Sequence, residues 1–314
     1  MPALITHYQF ALRVLARLKQ AGKPPADRDA FLLGAQGPDL FFFHRVLPWE
    51  PGKSFAREGS KMHKLSPARI FAAFRAEIDR AKEPERRLLL SYVEGFFCHY
   101  ALDRTAHPFV LYWQSALRKE QPDYGVSDHT YHFRIESALD TLVLRRETGR
   151  LIRDFKLTGV LPKERAEVSA AIGRLYCPLF ADWFGIETTP AHLAHAPADM
   201  RRILALMTDR RHLRQKLVIR PIEVIGRHGH FASSLLRPEN AADWDYANEA
   251  HRLWENPADP DLKSRDSFYE LYALAAAEAE DMILAFLEAP ADRVTMEGIT
   301  QDRGFASDLP GIYG

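Results

Sequence analysis

Apolar residues recur at three- and four-residue intervals through most of this chain, the spacing of helices that bury one face. Over residues 4–18, Phe10, Leu12, Val14, Leu15 and Leu18 outline such a helix, which carries His7 and stops at Gln20-Ala-Gly-Lys-Pro-Pro25. A short helix over 27–33 runs into Gly34-Ala-Gln-Gly37-Pro38-Asp39, where two glycines and a proline predict a turn and leave Asp39 on irregular backbone. The run Leu40-Phe41-Phe42-Phe43 follows, then a loop punctuated by Pro48, Pro51 and Gly52. His63 falls near the start of the next helix, whose apolar face carries Ile70, Phe71, Phe74 and Ile78.

Pro84 opens a long helix through Leu88, Leu89, Tyr92, Val93, Phe96 and Phe97 to His107, and Pro108 is expected to disturb it there. After a polar loop at 121–125, Ser127 and Asp128 offer an N-cap for a helix carrying His129, His132, Ile135, Glu136, Leu139 and Leu142. Further helices are expected over about 163–183, 197–216, 242–255 and 267–287. Strand-like alternation is confined to an ambiguous 217–219. The fold class is therefore all-α. The connections at 185–190 and 256–261 are too short for interdomain linkers, which predicts one large multi-helix bundle over 1–289, with 290–314 a docked or mobile tail.

At 314 residues and 46% hydrophobic, the chain can build a sizeable core. Equal totals of 42 basic and 42 acidic residues leave no net field to attract a polyanion or an anionic bilayer, which argues against nucleic-acid binding. Cys98 and Cys177 are the only cysteines, too few for a disulfide framework and wrongly spaced for a thiolate zinc site. A metal would have to be held by histidine and carboxylate, and 13 histidines are available. The first residues lack a basic stretch ahead of an apolar core, and no run reaches the roughly 18 apolar residues of a membrane span, so a cytoplasmic protein is expected.

The chemistry concentrates on the long helix. His99, Asp103 and His107 stand four residues apart and share one face. Four residues rise about 6 Å, which separates the two histidines by about 12 Å, whereas a zinc–nitrogen bond is about 2.0–2.1 Å. One ion cannot serve both, but a row of metals with a carboxylate between them can. His132 and Glu136, one turn apart on the next helix, make a second pair that a helical hairpin would set beside His107. Two histidines and a glutamate leave coordination positions for water. A lone histidine on an apolar face is more often structural; the ordered series is what speaks for metal.

That series resembles the zinc-dependent phospholipase C family, relatives of the P1-type nucleases. Thr6-His7, Gly34-Ala-Gln-Gly-Pro-Asp39, Gly59-Ser-Lys-Met-His63, His99-x3-Asp103-x3-His107 and His132-x3-Glu136 occur in the family's order over about the first 145 residues. The resemblance implies a multi-helix bundle of that type with two or three zinc ions. Asp39, His63, His99 and Asp103 would surround one ion, and His107, His132 and Glu136 a second. His7, Asp103 and the amino-terminal residue would hold a third. Secreted members expose a processed tryptophan at that terminus, whereas this chain begins Met1-Pro2, a departure from the pattern. The implied activity is phospholipase C-like hydrolysis of a phosphodiester by metal-activated water, on a phospholipid or related small molecule. Adjacent divalent ions suit that reaction because they acidify water and neutralise charge on the phosphate oxygens. Asp39 would be a zinc ligand, or would also accept the water's proton. A single-strand nuclease-like phosphodiesterase and a metal-binding homologue without catalysis are the competing readings.

Other features are weighed against that series. Phe41, Phe42 and Phe43 read as core before they read as a slot for a quaternary ammonium group. His129 competes with His132, but only His132 has Glu136 four residues on. Asp140 reads as a salt-bridge partner, or as support for a ligand histidine. His44 reads as structural or as support for the site. His192, His195, His228 and His230 stand outside the series. The basic stretch over 201–216 reads as a solvated face, and Cys98 as a small core residue.

Overall fold

In the computed structural model, which describes residues 3–47, 49–123, 127–207 and 237–313, the chain opens with α1 (Leu4–Gln20) and α2 (Arg28–Gly34). Asp27 starts α2 by accepting from the Ala30 amide at 2.9 Å, while its other oxygen meets Arg165 at 2.7 Å. A 3-10 helix over Gly37–Phe43 follows, then α3 (Ala56–Met62), α4 (Pro67–Arg80), α5 (Glu85–Glu120) and α6 (Asp128–Thr148). Short 3-10 turns lead to α7 (Ala166–Phe184), α8 (Pro190–Leu193) and α9 (Ala196–Met207). A hairpin of β1 (Trp254–Asn256) and β2 (Asp259–Ser264), then α10 (Phe268–Glu288) and α11 (Arg293–Thr300), complete the described elements. That hairpin is the only sheet among the described residues, and the protein is all-α. No described helix is long and apolar enough to cross a membrane.

The bundle is built around α5. From Leu89 to Leu117 most of its side chains are buried, because α1, α2, α4, α6, α7, α10 and β1 all pack on it. Two glycines set its closest approach to a neighbour. A side chain at Gly34 would overlap the Tyr92 carbonyl, and one at Gly95 the Phe31 carbonyl, so α2 meets α5 backbone to backbone.

The structure departs from the sequence pattern at four places. First, α5 continues through Pro108 instead of ending there. A proline in a helix interior forgoes one backbone bond and costs about 3 kcal/mol. Beyond it Phe109, Val110, Trp113 and Leu117 are buried, each worth about 1.5–3 kcal/mol. Burial wins, and the His99-Asp103-His107 stripe lies mid-helix. Second, the loop before His63 contains α3, so His63 closes one helix and Ser66 caps the next, accepting from the Arg69 amide at 3.2 Å.

Third, no helix forms over 242–255. Asp245 accepts from the Glu249 and Ala250 amides at 2.8 and 3.0 Å, and Asn248, at φ 53°, accepts from the Arg252 amide at 2.9 Å. Polar side chains thereby take amides that a helix would have needed. Fourth, Trp254 packs its ring against Phe109 and starts β1, so the stretch 256–261 is a hairpin turn and the start of β2. Of the expected 197–216 helix, α9 accounts for the part up to Met207. Residues 208–236, with the ambiguous 217–219 and with His228 and His230, lie outside the described residues. The described arginines of that basic stretch are engaged within the chain: Arg202 pairs with Glu50 at 3.1 Å and with Asp199 at 2.7 Å, and Arg201 bonds the Pro162 carbonyl.

Candidate metal centre

Five elements bring the eight candidate residues together. α5 supplies His99, Asp103 and His107, and α1 supplies His7. The 3-10 helix supplies Asp39, the end of α3 His63, and α6 His132 and Glu136. The entry of α1 is tied to α6 by Asp140, whose Oδ1 accepts from both the amide and the hydroxyl of Thr6 at 2.8 Å. Its Oδ2 binds two nitrogens of the buried Arg237 at 2.8 and 2.7 Å. Asp140 is thus a salt-bridge partner that fixes the residue before His7.

Asp103 is the hub. Its Oδ1 lies 3.2 Å from His7 Nε2. Its Oδ2 faces three more imidazoles, His99 Nε2 at 3.2 Å, His63 Nε2 at 3.6 Å and His107 Nδ1 at 3.7 Å. Asp39 Oδ1 lies 3.2 Å from His63 Nε2 and 4.0 Å from His99 Nε2, and the two histidine nitrogens are 3.3 Å apart. A second group is offset along the face: His132 Nε2 stands 3.3 Å from Glu136 Oε1, and the rings of His107 and His132 stack with centroids 5.4 Å apart. In all, three sets have ligand atoms within 4.8 Å of one another: His7, His99 and Asp103; Asp39, His63 and His99; and His107, His132 and Glu136. A recess between α1, α5 and α6 runs beside His7, Asp103, His107 and Glu136, with Leu102, Val110, Leu139 and Phe268 as its apolar wall.

Hydrogen bonding fixes which nitrogens face inward. His63 Nδ1 lies 3.0 Å from the Gly59 carbonyl and can only donate to it, so in the neutral ring Nε2 carries the lone pair. His132 Nδ1 likewise donates to Gln114 Oε1 at 3.0 Å. Each ring therefore aims an acceptor at carboxylate oxygens, which are also acceptors. Such a set repels itself unless a protonated imidazole or a bound cation lies within it. His7 Nδ1 and His99 Nδ1 are buried without a hydrogen bond, and Asp39 Oδ1 and Asp103 Oδ2 are buried facing histidine nitrogens at 3.2 Å. Imidazole nitrogens and carboxylate oxygens, already braced from behind by a carbonyl and an amide oxygen, are the donor set that suits zinc.

The protonation energetics follow from the same contacts. Burial disfavours a charge on His7, His63, His99 and His107. At His7 the hydrogen bond and charge of Asp103 overcome burial, and at His63 those of Asp39 do, so both pKa values lie above the ordinary one. At His99 burial prevails and the pKa falls. At His107 burial likewise outweighs the pull of Asp103, and the pKa falls to about 4. Burial also opposes ionisation of Asp103, but the nearby His99 and His107 hold its pKa well below the usual range.

From sequence Gln114 is not singled out, and Phe42 reads as core and Gly37 as part of a turn. Gln114 lies seven residues after His107, two turns along the same face, a spacing that marks it as a neighbour of the stripe. Phe42 stacks on His63 with centroids 5.7 Å apart, while Phe41 is core. Gly37, at φ 55°, sits against the His99 ring, where any Cβ would overlap the imidazole. His129 is exposed and stands in none of the three sets. His44 is structural: its Nδ1 accepts from the Phe55 amide at 3.2 Å, and its Nε2 donates to the His192 carbonyl at 3.0 Å. Cys98 is buried with its sulfur near the Glu94 carbonyl.

A family model described as zinc-dependent phospholipase C matches residues 6–185. The chain belongs to that family. The matched span contains all eight candidate residues, from His7 to Glu136, and ends near the close of α7. No curated protein and no solved structure matches the chain.

Proposed function

We propose that this member of the family is a zinc-dependent phosphodiester hydrolase of the phospholipase C type, acting on a phospholipid or a related phosphate ester. The observation that carries the reading is the convergence of acceptor atoms on Asp103, with the His107, His132 and Glu136 set beside it. One ion is assigned to Asp39, His63, His99 and Asp103, a second to His107, His132 and Glu136, and a third to His7 and Asp103. The amino-terminal ligand of the family's third site would fall on residues 1 and 2, outside the described residues.

Bound zinc supplies Lewis acidity, which makes water a nucleophile near neutral pH and offsets charge on the phosphoryl oxygens. The chain's part is to hold the ligands rigidly. Gly59 and Gln114 fix two rings from behind, and Asp140 holds the backbone beside His7. His107, His132 and Glu136 are three protein ligands, which leaves room in a zinc shell for water and substrate. Asp39 would be a ligand, and its carboxylate would also take the proton released by the attacking water. The balanced charge of the chain favours a small ester over a polyanion.

Product release from a panel of phosphatidylcholine, other phospholipids, single-stranded DNA and a generic phosphodiester tests the reading. Diacylglycerol and a phosphorylated headgroup, released by the zinc-loaded protein and abolished by chelator, are expected. Cleavage of single-stranded DNA alone would select the nuclease-like alternative. Zinc-loaded protein inert on the whole panel would select the non-catalytic one.

A further inference from the structure

The residues after α11 lie outside the family match, yet they reach the metal centre. Phe305 is 1% exposed and packs edge-on against His63, with centroids 5.4 Å apart, and near His99 at 6.3 Å. It also meets Tyr100 and Phe96, which flank His99 on α5. Phe42 stacks on His63 as well, so this imidazole meets two phenyl rings that arrive from opposite ends of the chain.

The segment bearing Phe305 is fastened to α5, which carries His99, and to the start of α4, just after His63. On the α5 side, the residues one position after His99 and Asp103 make the attachments. The Tyr100 hydroxyl donates to the Arg303 carbonyl at 2.8 Å, and Arg104 donates to the Thr300 carbonyl at 3.1 Å. On the α4 side, Asp302 Oδ1 accepts from the Ser66 hydroxyl at 2.7 Å and from the Ala68 amide at 3.1 Å, three to five residues after His63. The segment closes on itself through a bridge between Arg303 and Pro310, and Gly304 sits where a side chain would overlap the Ile312 carbonyl. Asn256, on the hairpin, holds the Ser307 carbonyl at 2.7 Å.

We infer that residues 300–313 are a positioning strap for the Asp39, His63 and His99 set, in which Phe305 fixes the two imidazoles in the orientation that one metal ion requires. The inference rests on the zinc reading above. Ring orientation matters because a ligand nitrogen binds along its lone pair, and groups that orient a ligand from behind are worth about 10–100-fold in metal affinity. Among the described residues no ring contact joins Phe305 to His107 or His132, so the set those two form with Glu136 is expected to keep its ion, while His99 shares the effect with His7 and Asp103.

Competition of zinc-loaded full-length protein against a graded chelator, with zinc counted per chain, tests this. Phe305→Leu and Phe305→Met both remove the ring, and methionine refills the space flexibly so that the fold survives. Phe286→Leu removes a comparably buried ring that packs on Phe71 and Phe97, away from the centre. Both Phe305 variants are expected to release one zinc at least about tenfold more readily while the zinc at His107, His132 and Glu136 stays as tightly held as in the parent. Phe286→Leu is expected to retain zinc as the parent does. Unchanged zinc binding in the Phe305 variants, or equal loosening in Phe286→Leu, would overturn the strap and leave the metal centre standing. A parent protein that takes up no zinc would overturn both.

Discussion

Asp103 carries more of this centre than its place between two histidines suggests. Four imidazole nitrogens lie within 3.7 Å of its two oxygens, so it links sets of ligands that the helix pitch keeps apart. The sets should be separable by substitution. His107→Ala removes a ligand from the set with His132 and Glu136 while leaving the contacts of His63 and His99 in place. It is expected to bind one zinc fewer and to lose at least about 100-fold in turnover, the upper end of what disturbing even an outer group costs. Turnover equal to the parent would remove that set from the mechanism. The spacings 99-103-107 and 132-136 were readable because helix pitch converts sequence intervals into shared faces. The braces behind the ligands were less so. Gly59 acts through its backbone carbonyl, which no side-chain pattern reveals, and Gly37 acts by having no side chain at all.

At the scale of elements, the centre depends on how closely α2 and its following turn approach α5. Gly34 and Gly95 allow that approach, and the turn beyond Gly34 delivers Asp39 to the centre and Gly37 to the His99 ring. Gly95→Ala is therefore expected to push α2 away from α5, at about 1–3 kcal/mol for a forced fit in a packed core, and to weaken zinc binding at the same time. Thermal unfolding and zinc content, measured on one sample, check it. Stability and zinc equal to the parent would show that the contact is not needed. The main helices were legible from apolar periodicity, α5 most of all. Periodicity failed where local hydrogen bonding competed with it: Asp245 and Asn248 satisfy amides over 242–255 from their own side chains, and Trp254 then enters a strand because its ring has Phe109 to pack on. Pro108 misled in the opposite direction, since the burial that carries α5 past it is a tertiary effect.

Across the whole molecule, burial and pairing give the metal-free chain a definite pH profile. His7 and His63 bind protons more tightly folded than unfolded, so their contribution is complete below about pH 6.5 and is lost as pH rises through their elevated values. His44, His99 and His107 are held down by burial, His44 and His107 to about 4. Unfolding lets them protonate, so their contribution is present above about pH 6.5 and is lost as pH falls toward their depressed values. Above about pH 6.5 these histidines contribute only losses, to which Glu94, its carboxyl pushed up to about 8 by burial, adds, so stability of chelator-treated protein should fall between about pH 6.5 and 8.5 in a denaturant series. A continued rise to pH 8.5 would contradict the assigned protonation states. The Phe305 contact belongs to this scale too. It joins residues more than two hundred positions apart, and no spacing in the sequence announces it.

The central claim is that these converging acceptors hold zinc. Zinc per chain in protein purified without chelator, then reconstituted and dialysed, tests it most directly. Two or three tightly held ions per chain are expected, with uptake releasing protons near neutral pH because the ligand histidines must be neutral to bind. A protein that retains no zinc after reconstitution would contradict the account.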